Sequence, residues 1–441
     1  MKPASLAARL PFYYGWLVIA VAFVTMAVAV NARTSFSLLF PTILDEFGWR
    51  RGVTAGVFSA GSMSVVVLGP AFGVLMDRFG PRLVISMGAG SVALGLVLAT
   101  HAASPGEFYA TLGLMVVGAS AAASYLGHSM FLANWFVRRR GLAVGIAFSG
   151  VGVGAIVVLP WLQTVIDSAG WRQACLALAL IVVVVLIPLN LLVPRLKPEN
   201  LGLAADGAAP GEDHEARQKA ATVVDRAWAE TDWTLRRAIR TARFWWVFAA
   251  YFTSLFACYA VQVHQTKFFI DVGYGADLAA TALGLVGLCG IVGLIGLGAL
   301  SDRIGREWGW TIALAGFVVC YLALIAISIA PSLPLLFVVV AGQGLLGYGL
   351  AGLYGVIASD IFAGSRFATV FAVLSLGGNM GAASGPWFMG LSFDLSGSYL
   401  PAFAVCAGLS CLSIACIWMA APGKVRLVAG RVSRPRKSAR D

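Results

Sequence analysis

The chain has 441 residues, of which 59% are hydrophobic and 12% charged, and its mean hydropathy is +0.86. A soluble domain carries about a quarter charged residues, so these figures exclude a water-soluble fold. The net charge of +11 does not mark a nucleic-acid binder, because the basic residues lie between apolar runs rather than along one stripe.

A helix needs about 20 apolar residues to cross a bilayer. Segments of that kind fall near 14–42, 53–76, 83–101, 107–133, 141–166 and 172–193, and again near 243–270, 278–300, 309–330, 333–360, 367–393 and 399–421. Lys2 and Arg9 precede the first, and its opening apolar run to Ala27-Val28-Ala29 imitates a secretion signal. It exceeds the roughly 7–15 apolar residues of a signal core and reads as a retained first span. The expected fold is an all-α membrane protein of twelve transmembrane helices in two six-helix bundles. The domains are 1–193, a central loop at 194–242, 243–421, and a basic tail at 422–441.

With the N-terminus placed in the cytoplasm, 26 of the 31 Lys and Arg residues fall on the inside. Arg50, Arg51 and Arg172 fall outside, and Arg33 and Lys267 lie within spans. This asymmetry puts both termini in the cytoplasm.

The central interval is first rich in Gly, Ala, Pro and acids, and reads as flexible. From about Glu215 it reads as an amphipathic helix, with Trp228 and Trp233 toward lipid and Arg226, Arg236, Arg237 and Arg240 toward headgroups. The C-terminal stretch GRVSRPRKSARD, residues 430–441, is basic and polar and reads as disordered. Seven cysteines stand singly without a C-x-x-C pair, so neither a metal nor a redox couple is indicated.

The sequence repeats itself. GVLMDRFGPR (Gly73–Arg82) and GALSDRIGR (Gly298–Arg306) place Asp77 and Asp302 225 residues apart. Pro160-Trp161 and Pro386-Trp387 are 226 apart, as are Arg140 and Arg366. Two independent anchors at one spacing indicate a six-span unit written twice.

The doubled loop motif resembles the signature of the major facilitator superfamily. FPTILDEFGWRRGV, NWFVRRRGLAVGIAFSGVGVGA and the span-eleven phrase FAVLSLGGNMGAASGPWFMGLSFDLSGSY are similar to bacterial monocarboxylate transporters and oxalate:formate antiporters. The resemblance implies a secondary transporter of a bacterial cytoplasmic (inner) membrane that is not an enzyme and uses no cofactor. It also implies that Gly73, Asp77, Arg78, Gly80, Arg82, Asp302, Arg303, Gly305 and Arg306 form a latch between the halves that favours the outward-open state. Close relatives carry an Asp–Arg pair in span eight; here that span has no internal charge.

Ionisable groups within a membrane are costly and mark pathways. Arg33, His128, His264 and Lys267 are the interior candidates, and no Asp or Glu lies deep in any span. Cations without an internal acid suit an anionic cargo. Arg33 lies roughly 18 Å of helix before Asp45, among Asn31, Thr34, Ser35 and Ser37, so it either lines a wet cavity as a carboxylate clamp or has a structural role. His264 either carries a coupled proton or packs by hydrogen bonds. Lys267 either lines the cavity or snorkels outward and pairs with Asp271. His128 with Tyr125 either faces the cavity or sits near the cytoplasmic boundary. Gln343, Tyr348, Gln262 and Asn379 are neutral candidates.

The expected function is secondary transport of small organic anions, mono- or dicarboxylates, by alternating access as a monomer. Coupling would be to protons or to a second anion. The competing expectation is an exporter of apolar drugs or metabolites. No H-E-x-x-H, G-x-S-x-G or phosphate-loop motif supports a membrane enzyme.

Overall fold

The computed structural model describes residues 11–49, 51–207 and 222–431. Eleven helices among them are long and apolar enough to cross a membrane. One, Gly56–Ala99, is 44 residues long, about 66 Å at the helical rise and twice a hydrocarbon core. It is broken by Gly80 at φ 75°, ψ 174°, so it crosses twice and the spans number twelve. Gly305 makes the matching turn between spans eight and nine at φ 108°. Both backbones lie where a side chain is strained, which is why the repeated motif keeps glycine at each.

Span one is Tyr14–Thr34, continued after a turn at Ser35 by Phe36–Phe47. Spans four to six are Pro105–Asn134, Arg140–Ala169 and Trp171–Leu192. In the second half, spans seven to twelve are Ala242–Asp271, Ala276–Ile304, Arg306–Ile329, Leu333–Ile361, Phe367–Ser396 and Leu400–Ala420. Small residues bring helices together where side-chain bulk would hold them apart. Gly150 and Gly154 seat span five on span one, and Gly381 and Gly385 seat span eleven on span seven. Across the halves, Gly141 of span five meets Gly298 of span eight so closely that a Cβ on either would stand 2.3 Å from the other's carbonyl oxygen.

Spans four and ten share a departure from α geometry. Each runs as a wide π stretch, Tyr109–Gly118 and Gly342–Leu346, then a tight 3₁₀ stretch, Ala119–Ala123 and Gly347–Gly352. Such distortions concentrate at functional positions, and here they lead into Tyr125 and contain Tyr348.

The loops that follow even-numbered spans share one face with the described ends of the chain, where the Tyr13 hydroxyl donates to the Trp135 carbonyl at 2.9 Å and Val224 meets Val425. There the central interval differs from expectation. The helix expected from about Glu215 begins in residues outside the described set, whereas most of the stretch expected to be flexible is described and folds into short turns at Pro198–Leu201 and Ala205–Gly207, with Leu201 and Ala205 buried. From Thr222 the chain forms two separate four-residue turns, Arg226–Ala229 and Leu235–Ala238. Trp233 is buried, not turned to lipid, and its ring stands edge-on to Phe362 at 5.3 Å. The Trp228 indole donates to the Ile361 carbonyl at 2.7 Å. These aromatics find a protein pocket, which removes the driving force for a lipid-facing helix.

The interval clasps both bundles. Asp206 accepts the amides of Val137 (3.1 Å) and Arg138 (2.9 Å) ahead of span five. Asp232 accepts the amide (3.2 Å) and hydroxyl (2.9 Å) of Ser365 ahead of span eleven. Ahead of the segment expected to be disordered, the chain after span twelve packs back on this face: Val425 and Val428 are buried, and the Val425 carbonyl accepts the amide of Val224 at 2.9 Å. Residues 432–441 lie outside the described set.

Candidate functional site

Arg33 occupies the last turn of Tyr14–Thr34, just before the break at Ser35. Its Nη2 donates to the Ser62 hydroxyl at 3.0 Å, and its guanidinium lies 5.2 Å from the centre of the Phe58 ring. The side chain is partly accessible, and among the described residues no carboxylate pairs with it. One hydroxyl and one ring leave most of its five donors available.

The opposite half faces this group. Tyr259 of span seven lies within electrostatic range of Arg33 and is 40% exposed, so it borders open space. Tyr125 of span four lies within electrostatic range of Tyr259, Tyr348 and Cys258. Gln262 donates to the Tyr348 hydroxyl at 2.6 Å. Arg33, Tyr125, Tyr259 and Tyr348 thus form one polar centre drawing on spans one, four, seven and ten.

Other candidates lie elsewhere or are engaged. The His264 Nε2 contacts the Pro386 carbonyl at 3.0 Å, and its Nδ1 contacts the Tyr399 hydroxyl at 3.3 Å. One donating and one accepting nitrogen satisfy a neutral imidazole, so His264 ties spans seven, eleven and twelve together. His128 is fully buried, with Nδ1 3.1 Å from the Ser124 carbonyl oxygen and Nε2 unpartnered. Gln343 is fully buried with both amide atoms unpartnered. Asn379 is partly buried on span eleven. The side chains of Ser37 and Lys267 lie outside the described set.

The repeated motif makes two matching clasps on the loop face. Asp77 accepts the amides of Ala368 (3.2 Å) and Thr369 (2.9 Å) and the Thr369 hydroxyl (2.6 Å), capping span eleven. Asp302 accepts the amides of Gly141 (3.0 Å) and Leu142 (3.1 Å), capping span five. Carboxylates at helix N-termini satisfy orphan N–H groups and complement the helix dipole. The second clasp is larger. Arg306 pairs with Asp302 at 2.7 Å and Asp360 at 3.1 Å, and Asp360 also pairs with Arg140 across the halves. Arg426 of the tail joins Arg140, Arg306 and Asp360 around a small recess.

Arg78 and Arg303 are exposed, and Arg78 lies 5.2 Å from the Phe79 ring centre. Arg82 turns away and donates to the Leu192 carbonyl of span six at 3.2 Å. None of the three joins a clasp.

Sequence reasoning missed Ser62, Phe58, Tyr259, Asp360 and Arg426. Phe58 and Tyr259 look like ordinary span residues. Asp360 was visible only as an acid near a span end, and Arg140 only as an anchor of the repeat.

Two six-helix units held together on one face, with a polar centre between them, define a polytopic membrane transporter. A family model described as Major Facilitator Superfamily matches residues 19–353 and 271–439, and the chain belongs to that superfamily. It is 28% identical over 430 residues to monocarboxylate transporter 11 of Mus musculus, covering 93% of this chain and 88% of the relative. It is 29% identical over 409 residues to an uncharacterised 38 kDa protein of Thermoproteus tenax, covering 90% and 94%. Among solved structures, the human organic anion transporter MFSD10 aligns with a TM-score of 0.69 at 17% identity, covering 93% and 100%. The E. coli fucose:proton symporter aligns at 0.68 and 16%, covering 92% and 98%. The chain is therefore a transporter rather than an enzyme.

Proposed function

We propose that this transporter moves small organic anions, mono- or dicarboxylates, across the bacterial cytoplasmic membrane by alternating access. Arg33 carries the reading. Its guanidinium keeps its charge at any ordinary pH, is partly accessible, and has no carboxylate beside it among the described residues. A carboxylate cargo supplies the missing bidentate partner. Tyr259 and the Gln262–Tyr348 pair offer hydroxyl and amide groups from the opposite half, so cargo is held by both halves at once. The relatives named monocarboxylate transporters support the substrate class.

The distribution of Lys and Arg makes the loop face cytoplasmic, with both termini there. The paired clasps then seal the cytoplasmic side and leave Arg33 open outward, and parting them exposes it inward. Anion exchange fits the interior better than proton symport. No Asp or Glu lies deep in a span, and both ring nitrogens of His264 are engaged.

Uptake of labelled carboxylates into proteoliposomes tests the reading. Losing a charged hydrogen-bond pair is worth about 1.5–3 kcal/mol, so Arg33→Ala should weaken uptake roughly 10- to 100-fold. Unchanged anion uptake in that variant, together with efflux of lipophilic cations, would favour the apolar exporter instead.

A further inference from the structure

Where span six ends on the loop face, two arginines converge on one oxygen. Arg82 Nη2 donates to the Leu192 carbonyl at 3.2 Å, and Arg195 Nη1 donates to the same oxygen at 3.3 Å. The two donor nitrogens are thus no farther apart than those bonds combined. Arg195 also donates to the Pro194 carbonyl at 3.0 Å and is only 9% exposed. Arg82 Nε and Arg195 Nη2 are buried without a hydrogen-bond partner, and no described carboxylate pairs with either residue. Beside them the buried Tyr14 hydroxyl already donates to the Val193 carbonyl at 3.0 Å.

Two like charges sharing a neutral acceptor repel each other, and each orphaned donor adds a desolvation cost. The second half shows the contrast, since Arg306 has Asp302 and Asp360 as partners. We propose that Arg82 and Arg195 form a binding site for a phosphate-type oxyanion. Paired guanidinium forks match the geometry of such a group. Burial and the neighbouring Arg82 charge both lower the proton affinity of Arg195, and an oxyanion between them opposes that shift. The residues flanking the pair are apolar and face outward: Leu83 is 43% exposed and Leu192 65%. This is the level at which a membrane-spanning protein meets headgroups, so an anionic phospholipid can present its phosphodiester there with its chains along Leu83 and Leu192.

The test is thermal unfolding of the purified full-length protein in neutral detergent. Phosphatidylglycerol, phosphatidylcholine and inorganic phosphate are added separately. Phosphatidylglycerol should stabilise the wild type more than phosphatidylcholine does. Its apparent affinity should fall roughly tenfold for each guanidinium lost in Arg82→Gln and Arg195→Gln. Arg139→Gln/Arg236→Gln, which removes two exposed charges from the same face, should respond like the wild type. An Arg82→Lys/Arg195→Lys variant keeps the charge without the fork and should bind at intermediate strength, which covers the case in which the Gln variants do not fold. Stabilisation by inorganic phosphate alone, lost in the same variants, would keep the oxyanion site and make its source the free ion. Equal stabilisation of wild type and all variants by phosphatidylglycerol, or none by either anion, overturns the proposal.

Discussion

The carboxylate of Asp302 accepts the backbone N–H of Gly141 at 3.0 Å, so a loop of the second half caps a helix of the first. Arg306 and Asp360 extend this contact, whereas Asp77 meets only the start of span eleven. Asp77→Ala should therefore cost about 1 kcal/mol of cap energy. Asp302→Ala should cost about 3 kcal/mol, because it also leaves part of a buried ion network unpaired. Spin-label distances across the loop face should widen in both variants, and more in the second. Equal widening would contradict this ranking.

Among the described residues, Ser62 is the only hydrogen-bond partner of Arg33. If Arg33 binds cargo, Ser62→Ala leaves the charge in place and frees its direction. The loss of about 1 kcal/mol should raise KM for carboxylate uptake roughly fivefold with little change in kcat. A saturation curve on the variant checks this split.

Glu46 receives two bonds from Arg172 (2.7 and 2.9 Å) and one from the Trp171 indole (2.6 Å). Hydrogen bonding from Arg172, then from Trp171, holds the Glu46 carboxyl below its usual range. A depressed acid contributes stability that is complete above its unfolded value and lost as pH falls through the folded one. Glu46→Gln should thus be less stable at neutral pH, with the gap closing below about pH 4.3. Both side chains are about two-fifths exposed, so solvent screening keeps the effect below about 1 kcal/mol. Unfolding curves at pH 7 and pH 4 measure it.

His264 should behave as a tie between helices. His264→Ala removes two contacts (3.0 and 3.3 Å) and should cost about 1–2 kcal/mol of stability. The pH profile of uptake should keep its midpoint. A midpoint shifted by a full unit would make the ring a proton carrier.

The twelve spans were legible because hydrophobic length is a local signal; Arg140–Ala169 and Phe367–Ser396 start one residue from the expected 141 and at the expected 367. Asp77 and Asp302 were legible because duplication prints the same motif twice. The partners of Arg33 were not. Ser62 lies 29 residues away and Tyr259 in the other half, and nothing in one chain separates a cavity tyrosine from a packing one. Trp228 and Trp233 misled for a related reason: their spacing fits a lipid-facing helix, but Phe362, far along the chain, offers a better burial site.

Duplication also leaves a record of divergence. At the position 226 residues before Asp360 stands Asn134, whose amide donates to the Leu196 carbonyl at 3.0 Å and holds no arginine. The two seams of the closed face are therefore unequal: one is bolted by ions, the other only buttoned by a cap. Thermal agitation should part the Asp77 side first, so the halves come apart askew, pivoting on the Arg140–Asp360 corner. Inherited symmetry of shape does not bring symmetry of motion.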